Sequence, residues 1–288
     1  MKQHYLPKFY LKGFSKEIEK KGNKQNVLWF YNKESKNVAY KSIENLAYKK
    51  NYYSFINYDN HEDNSIETFF SKLENDTAKV LRKIEEDSRI IIKEHTRNGK
   101  VEASGRKLTT EEKNILLVFI FFMLKRTPSF MDELEKGWRP KYEELLKENN
   151  RSFDYSEFRR QIIESMVEIG SGSQRNFLRL FDIKNLEFIY NNFDTSSFIT
   201  TDNPFIVYNL NGPDGLAYPE TNIFFPLSKK LILRLYDLGE NITIKKALSQ
   251  RHIFNLNVDV AKRCYNHLFS DNEKYLKKIL KKLNLDWN

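Results

Sequence analysis

The chain has 288 residues, of which 40% are apolar and 30% charged, with ten Gly, seven Pro and one Cys. At about 150 residues per domain this is one domain or two, with ample apolar mass for a core; a disordered or collagenous chain is excluded, and a lone Cys264 excludes an internal disulfide framework and a Cys-based zinc site. The formal net charge of +9 is unevenly spread: residues 1–55 hold twelve Lys against four Glu, residues 227–288 hold thirteen Lys and Arg against six acids, and the middle is net negative.

Up to about residue 58 the pattern is extended. Val27–Tyr31 is a β-rich run, Asn32–Asn37 a polar turn, Val38–Tyr40 its hairpin partner, and Tyr52–Ile56 a further strand. The stretch Asp59–Asn64 reads as a solvated polar loop. Helices follow. Ile66, Phe69, Phe70, Leu73, Thr77, Val80, Leu81 and Ile84 recur at three- and four-residue spacing. Thr109-Thr110-Glu111-Glu112 is a capping-box start, and the helix it opens should stop at Arg126-Thr127-Pro128, because proline disfavours helix at the residue before it. Shorter helices are expected over Lys141–Glu148 and Tyr155–Ile169, with a small-residue hinge at Gly170-Ser171-Gly172-Ser173. Strands return at Glu187–Tyr190, Ser197–Thr200, Phe205–Tyr208 and Leu231–Tyr236, joined by turns at Asp202-Asn203-Pro204 and Asn211–Gly215 as in an antiparallel meander. Helices over Leu256–Phe269 and Asn272–Leu283 close the chain. The expected fold is α+β: one domain over 1–288, β-rich over 1–60 and 186–250, with a helical insertion at 61–185 and C-terminal helices at 251–288, its antiparallel sheet built from N- and C-terminal parts.

The longest apolar run, Ile115–Leu124, is ten residues, against the roughly twenty that a spanning helix needs. With no apolar leader after Met1, the expectation is a cytoplasmic protein without a membrane span.

Two segments concentrate polar chemistry. His4-Tyr5-Leu6-Pro7-Lys8-Phe9-Tyr10-Leu11 places an imidazole in an aromatic-rich terminus, where it can act as acid, base or phosphate contact. Thr200-Thr201-Asp202-Asn203-Pro204 sets two hydroxyls and a carboxylate at a strand end. Each has a plainer account, terminal anchoring for the first and Asx-turn chemistry for the second. Arg126 closes an apolar helix and can clamp a phosphate, or pair with a structural acid such as Glu74. No dinucleotide, P-loop or nucleophile-elbow motif is present, and Asp59-x-His61-x-Asp63 lacks the glycine and terminal glutamate of a calcium loop.

The chain resembles a bacterial domain-of-unknown-function family whose members open with His-x-x-Pro-x-x-Tyr-Leu-x-x-Phe, met here by His4, Pro7, Tyr10, Leu11 and Phe14. Further matches are Tyr31-Asn32-Lys33, Arg126-Thr127-Pro128, Thr201-Asp202-Asn203-Pro204 and Pro226-Leu227-Ser228. The resemblance covers essentially the whole chain and implies one intact domain without implying an activity.

The favoured functional expectation is a nucleic-acid-directed protein, RNA ahead of DNA, acting as a ribonuclease effector. In it His4 is the acid/base, Arg126 stabilises anionic charge, Asp202 orients a partner or a divalent metal, and Lys8, Lys12, Lys229 and Lys230 hold the phosphate backbone. Two alternatives stay open: a non-catalytic sensor that docks nucleic acid or protein, and an enzyme acting on a small phosphorylated substrate in a deep pocket.

Overall fold

Strands that carry one apolar and one mixed face can only be stable if the apolar face is covered, and the helices of this chain do that covering. A computed structural model describes residues 2–56, 61–97, 102–104, 108–167, 172–209, 212, 215 and 218–287. The chain begins with β1 (Lys2–His4), α1 (Lys8–Phe14), β2 (Lys16–Lys20), β3 (Asn23–Asn32), β4 (Asn37–Ser42), β5 (Tyr48–Lys50), β6 (Phe55–Ile56) and β7 (Glu62–Asp63). The middle holds α2 (Ser65–Arg97), β8 (Glu102–Ser104), α3 (Thr110–Lys125), α4 (Pro128–Glu148), α5 (Tyr155–Val167) and α6 (Gly172–Asp182). It ends with β9 (Lys184–Tyr190), β10 (Thr200–Thr201), β11 (Ile206–Tyr208), β12 (Asn222–Ser228), β13 (Leu231–Leu238), β14 (Ile242–Lys246), α7 (Gln250–Lys262), β15 (His267–Ser270) and α8 (Glu273–Lys282).

Two sheets organise these elements into an α+β fold. In the six-stranded sheet the order is β11-β12-β13-β9-β14-β8, antiparallel except for the parallel β9–β14 pair. In the five-stranded sheet β3 pairs with β2, β4 and β15, and β15 pairs with β10. N- and C-terminal parts therefore share this second sheet, with residues 29–32 opposite 267–270. Helix α8 packs on β15 and β3, so the last lysine-rich helix folds against the lysine-rich amino-terminal strands.

The inward face of the six-stranded sheet is apolar: Leu186, Phe188, Ile223, Phe225, Leu233, Leu235 and Ile244 are all buried. Tyr10 of α1 and Phe119 of α3 pack against Phe225, and α2 lies along β9, β14 and β8. The apolar run of α3 is this core, with Leu116, Leu117, Phe119, Ile120, Phe121, Phe122 and Met123 buried. Its capping box forms, Thr109 accepting from the Glu112 amide and Glu112 from the Thr109 amide. Among the described residues no single helix is long and apolar enough to cross a membrane.

Several expected boundaries move. The first 58 residues are not uniformly extended, because Tyr10, Leu11 and Phe14 share one buried helical face in α1. The middle section is not purely helical: β7 pairs with β6, and β8 joins the sheet edge beside β14. Helix α4 starts at Pro128 rather than at Lys141, since Thr127 caps it and proline is well suited to the first helical position. The helix expected over 256–269 ends at Lys262; the Asp202 carboxylate takes the main-chain N–H groups of Tyr265, Asn266 and His267, which a continuing helix would need, and His267–Ser270 becomes β15. Of Ser197–Thr200 only Thr200 pairs in a sheet. Strands β12 and β14 and helix α6 were not anticipated. The hinge residues Gly170 and Ser171, residues 59 and 60 of the polar loop, and residues 211, 213 and 214 of the late turn lie outside the described residues.

The turn between β13 and β14 is fixed by Asn185, whose side chain donates to Leu238 O and accepts from the Asn241 amide. Gly239 (φ +155°) lies so close that a Cβ there would sit 2.2 Å from Asn185 Oδ1. Gly239→Ala is expected to destabilise the chain by more than about 1 kcal/mol through strain and contact together, read as a lower urea midpoint; an unchanged midpoint would show that the turn relaxes freely.

Candidate functional site

The residues singled out in the sequence occupy interior or locally paired positions. Arg126 is 3% exposed. Its Nη1 donates to Glu74 Oε1 at 2.7 Å and its Nη2 to the His4 carbonyl at 2.5 Å, and the guanidinium stacks over Phe70 at 4.1 Å. His4 is thus brought to Arg126 through its main chain. Its imidazole is held below the usual histidine range by burial, reinforced by the Lys8 charge. Asp202 is 1% exposed and its two oxygens accept from three main-chain amides, at 2.9, 2.8 and 2.8 Å. Lys8 pairs with Glu44 at the surface. Lys229 donates to Ser15 O and Lys230 to Phe193 O, while Lys12 lines a cavity beside Arg82, Glu85 and Glu86. Among the described residues no group of three or more His, Cys, Asp or Glu is placed to hold a metal ion.

The outward face of the six-stranded sheet differs in kind. Period-two alternation brings Tyr208 of β11, Asn222 and Phe224 of β12, Arg234 and Tyr236 of β13, Glu187 of β9 and Lys245 of β14 to this side. The register places Phe224 opposite Arg234, Arg234 opposite Glu187, and Glu187 opposite Thr243. Helix α7 borders the face, leaving two adjoining cavities of about 400 and 460 Å³ that share Tyr208, Phe224 and Leu256. Together they form a groove running from β11 to β14, across four strand spacings or about 19 Å.

At one end of the groove the Glu187 side chain is only 3% exposed. Its Oε1 accepts from Arg234 Nη1 at 3.3 Å, and its Oε2 lies 2.7 Å from Lys245 Nζ. Arg234 Nε donates to Asn222 Oδ1 at 2.9 Å, and the guanidinium lies over the Tyr236 ring at 4.5 Å. A buried carboxylate is tolerated only with such partners, and in satisfying it the two cations are held in place. His252 enters from the first turn of α7, where Ser249 caps the helix by accepting from the His252 amide. The imidazole Nδ1 accepts from the Leu248 amide at 3.4 Å, which in the neutral ring leaves Nε2 as the donor. Burial lowers the pKa of this imidazole, against the raising effect of the Glu187 carboxylate. Mid-groove, the Tyr208 and Phe224 rings lie 5.9 Å apart and 6° from parallel. At the far end Lys262 pairs with Asp259, and Arg263 donates to Val207 O.

None of Glu187, Arg234, Lys245, Tyr208 or His252 stood out in the sequence. A signal is present nevertheless: Leu186-Glu187-Phe188 and Leu233-Arg234-Leu235 each set one charge inside an apolar strand, which is stable only with a partner on the sheet. What no spacing reveals is that these two charges face each other, since their pairing depends on strand order.

A family of proteins of unknown function, DUF4238, has a model that matches residues 2–274. The chain belongs to this family. No curated protein and no solved structure matches it. The DUF4238 match spans His4, Arg126 and Asp202 as well as the whole groove, and leaves most of α8 outside.

Asp202→Ala leaves three part-buried amides without their acceptor and should cost about 1–3 kcal/mol of stability, measured by chemical denaturation. An unaltered unfolding curve would remove Asp202 from this structural role.

Proposed function

We propose that this DUF4238 protein binds single-stranded nucleic acid, RNA in preference to DNA, along the groove between the six-stranded sheet and α7. The observation that carries this reading is the part-exposed Tyr208 ring, backed by the near-parallel, buried Phe224 ring, set between Arg234 and Lys245 on the sheet and Lys262 and Arg263 at the end of α7. Unstacked bases bind aromatic side chains on sheet surfaces while flanking cations take the phosphates, and every base offers a π-face. A groove bordered by a helix suits a single strand better than a duplex. The second alternative, an enzyme with a deep pocket for a small substrate, fits this long open groove less well.

The geometry favours binding over cleavage. The Glu187 oxygens are engaged by Arg234 and Lys245, and His252 presents a donor rather than a base in its neutral state. The lysines of the amino-terminal strands and of α8, beside the five-stranded sheet, supply long-range attraction without sequence preference.

Hexauridylate and hexathymidylate, titrated by fluorescence anisotropy at several salt concentrations, test the reading. Tyr208→Ala is expected to weaken hexauridylate binding by about 1–3 kcal/mol, the scale of one base–aromatic stack. Lys245→Ala should reduce the slope of log K against log salt by about 0.7, one single-strand phosphate contact. Binding that neither substitution alters would place the nucleic acid elsewhere, and absence of binding by both oligomers would end the proposal.

A pH dependence follows from His252. A bound phosphate raises the pKa of the imidazole, so complex formation takes up a proton. Affinity for hexauridylate, whose bases do not titrate in this range, should therefore rise as pH falls below the ordinary histidine range toward the lowered pKa of the free His252 imidazole, and His252→Gln should flatten the profile. A profile unchanged by that substitution would show that His252 does not meet the phosphate.

A further inference from the structure

The helix-covered side of the six-stranded sheet carries a cavity that groove binding does not use. It measures about 480 Å³ and lies where α1, α2 and the end of β12 meet, within the size range of small-molecule sites. Two backbone features shape it. The β12–β13 register shifts between Pro226 and Ser228, a bulge that brings Leu227 and Ser228 to the same side. Gly13, in the last turn of α1, approaches so closely that a Cβ there would sit 3.2 Å from Ser228 Cβ. Phe9, Leu81 and Leu227 supply apolar walls.

Charge is left unsatisfied inside it. Arg82 and Glu85 stand three residues apart on one face of α2, a spacing at which opposite charges can pair. Asp76 and Lys79 do so on the same helix, as do Glu86 and Arg89. Arg82 and Glu85 do not. Ser228, 5% exposed, donates its hydroxyl to Glu85 Oε2 at 2.5 Å and accepts from the Lys230 amide, while Arg82 Nε donates to Ala78 O. Glu85 Oε1, the two Arg82 Nη atoms and Lys12 Nζ make no hydrogen bond or ion pair among the described residues. Lys12 and Arg82 are exposed at the mouth, and Glu85 is half-buried. A simple anion would be repelled by Glu85, and a simple cation by Lys12 and Arg82. A ligand bearing both charges satisfies all three.

We propose that this cavity binds a free α-amino acid with an apolar side chain. The site is separate from the groove, and the inference does not depend on nucleic-acid binding. The ligand ammonium donates to Glu85 Oε1, its carboxylate accepts from Arg82 and Lys12, and its side chain lies along Phe9, Leu81 and Leu227. Arg82 and Glu85 are one helical turn apart, about 5–6 Å between Cβ atoms. That spacing suits opposite charges carried on one carbon better than charges at the two ends of a long molecule.

The test titrates the full chain calorimetrically with L-leucine, glycine, N-acetyl-L-leucine and L-leucinamide. Leucine is expected to bind, and each capped form to bind at least tenfold more weakly, because each lacks one charged contact. Glycine keeps both charges and should also bind at least tenfold more weakly, the scale of one buried leucine side chain. Glu85→Gln, which can keep the Ser228 contact, should weaken leucine and leucinamide and leave N-acetylleucine unchanged. Lys12→Met should weaken leucine and N-acetylleucine and leave leucinamide unchanged, with the folding of both variants checked by circular dichroism. A merely disturbed scaffold would not sort the ligands by charge in this way. No binding of leucine at millimolar concentration overturns the proposal, as does equal affinity for glycine or the capped forms, or variants that weaken every ligand alike. Should a variant fail to fold, the capped ligands test the same contacts on the unaltered chain.

Discussion

Folding this chain requires the burial of the Arg126 guanidinium. Stripping water from Arg126 costs several kcal/mol unless its donors are met, and the groups that meet them come from distant stretches: the His4 carbonyl from β1, Glu74 from α2 and the Tyr53 hydroxyl from the segment before β6. None is useful without the others, so the amino terminus, α2 and the end of α3 must assemble together. With β1 fixed in this way, α1 follows within four residues, and its Tyr10 hydroxyl reaches both Thr200 Oγ1 and Pro226 O. Thr200 belongs to the five-stranded sheet and Pro226 to the six-stranded one. A single buried hydroxyl thus bonds to both sheets, and the terminus acts as a wedge between them.

Glu187 is the counterpart of Arg126, with a different outcome. Both are buried charges balanced by partners from separate elements. The partners of Arg126 lie inside the fold, so its charge is used up there. Those of Glu187 are cations at the wall of an open groove, only about a third exposed, and the carboxylate sets their orientation. A hydrophobic residue at 187 would leave the sheet no less packed, since buried ion pairs seldom add net stability. What would be lost is the fixed placement of Arg234 and Lys245, which is a reason of function rather than of stability for having a charge there.

Local chemistry was readable from the sequence wherever neighbours in the chain decide the structure. The capping box of α3, the stop at Arg126, the β3–β4 hairpin and the apolar face of α2 all depend on contacts within a few residues. The end of α7 was not readable, because what stops it is a carboxylate some sixty residues earlier in the chain. For the same reason β12 and β14 went unseen: Asn222–Ser228 and Ile242–Lys246 are short mixed runs that become strands through the partners on either side. His4, Arg126 and Asp202 are unusual polar residues in distinctive motifs; the Arg126 guanidinium and the Asp202 carboxylate are met by groups of the chain itself, and His4 joins them through its carbonyl. The groove residues lie in stretches that look like ordinary strands, and only strand order brings them together.

The opening asymmetry of charge acquires a spatial meaning from this arrangement. The lysines of the amino-terminal strands and of α8 gather on the five-stranded sheet, whereas the other cations of the carboxy-terminal section, Arg234, Lys245, Lys262 and Arg263, line the groove on the other sheet. Under the proposed binding role the two act over different distances. The lysine-rich half raises the local concentration of an anionic strand, an effect that salt screens beyond a Debye length of about 10 Å at 0.1 M. The groove holds the strand through stacking and through cations fixed by Glu187, contacts that salt screens far less. Association would then be governed by the termini and residence by the groove, so a substitution in the groove should act chiefly on the dissociation rate and neutralised terminal lysines chiefly on the association rate. Net charge alone could not make that distinction; the position of the one buried carboxylate on the outward sheet face does.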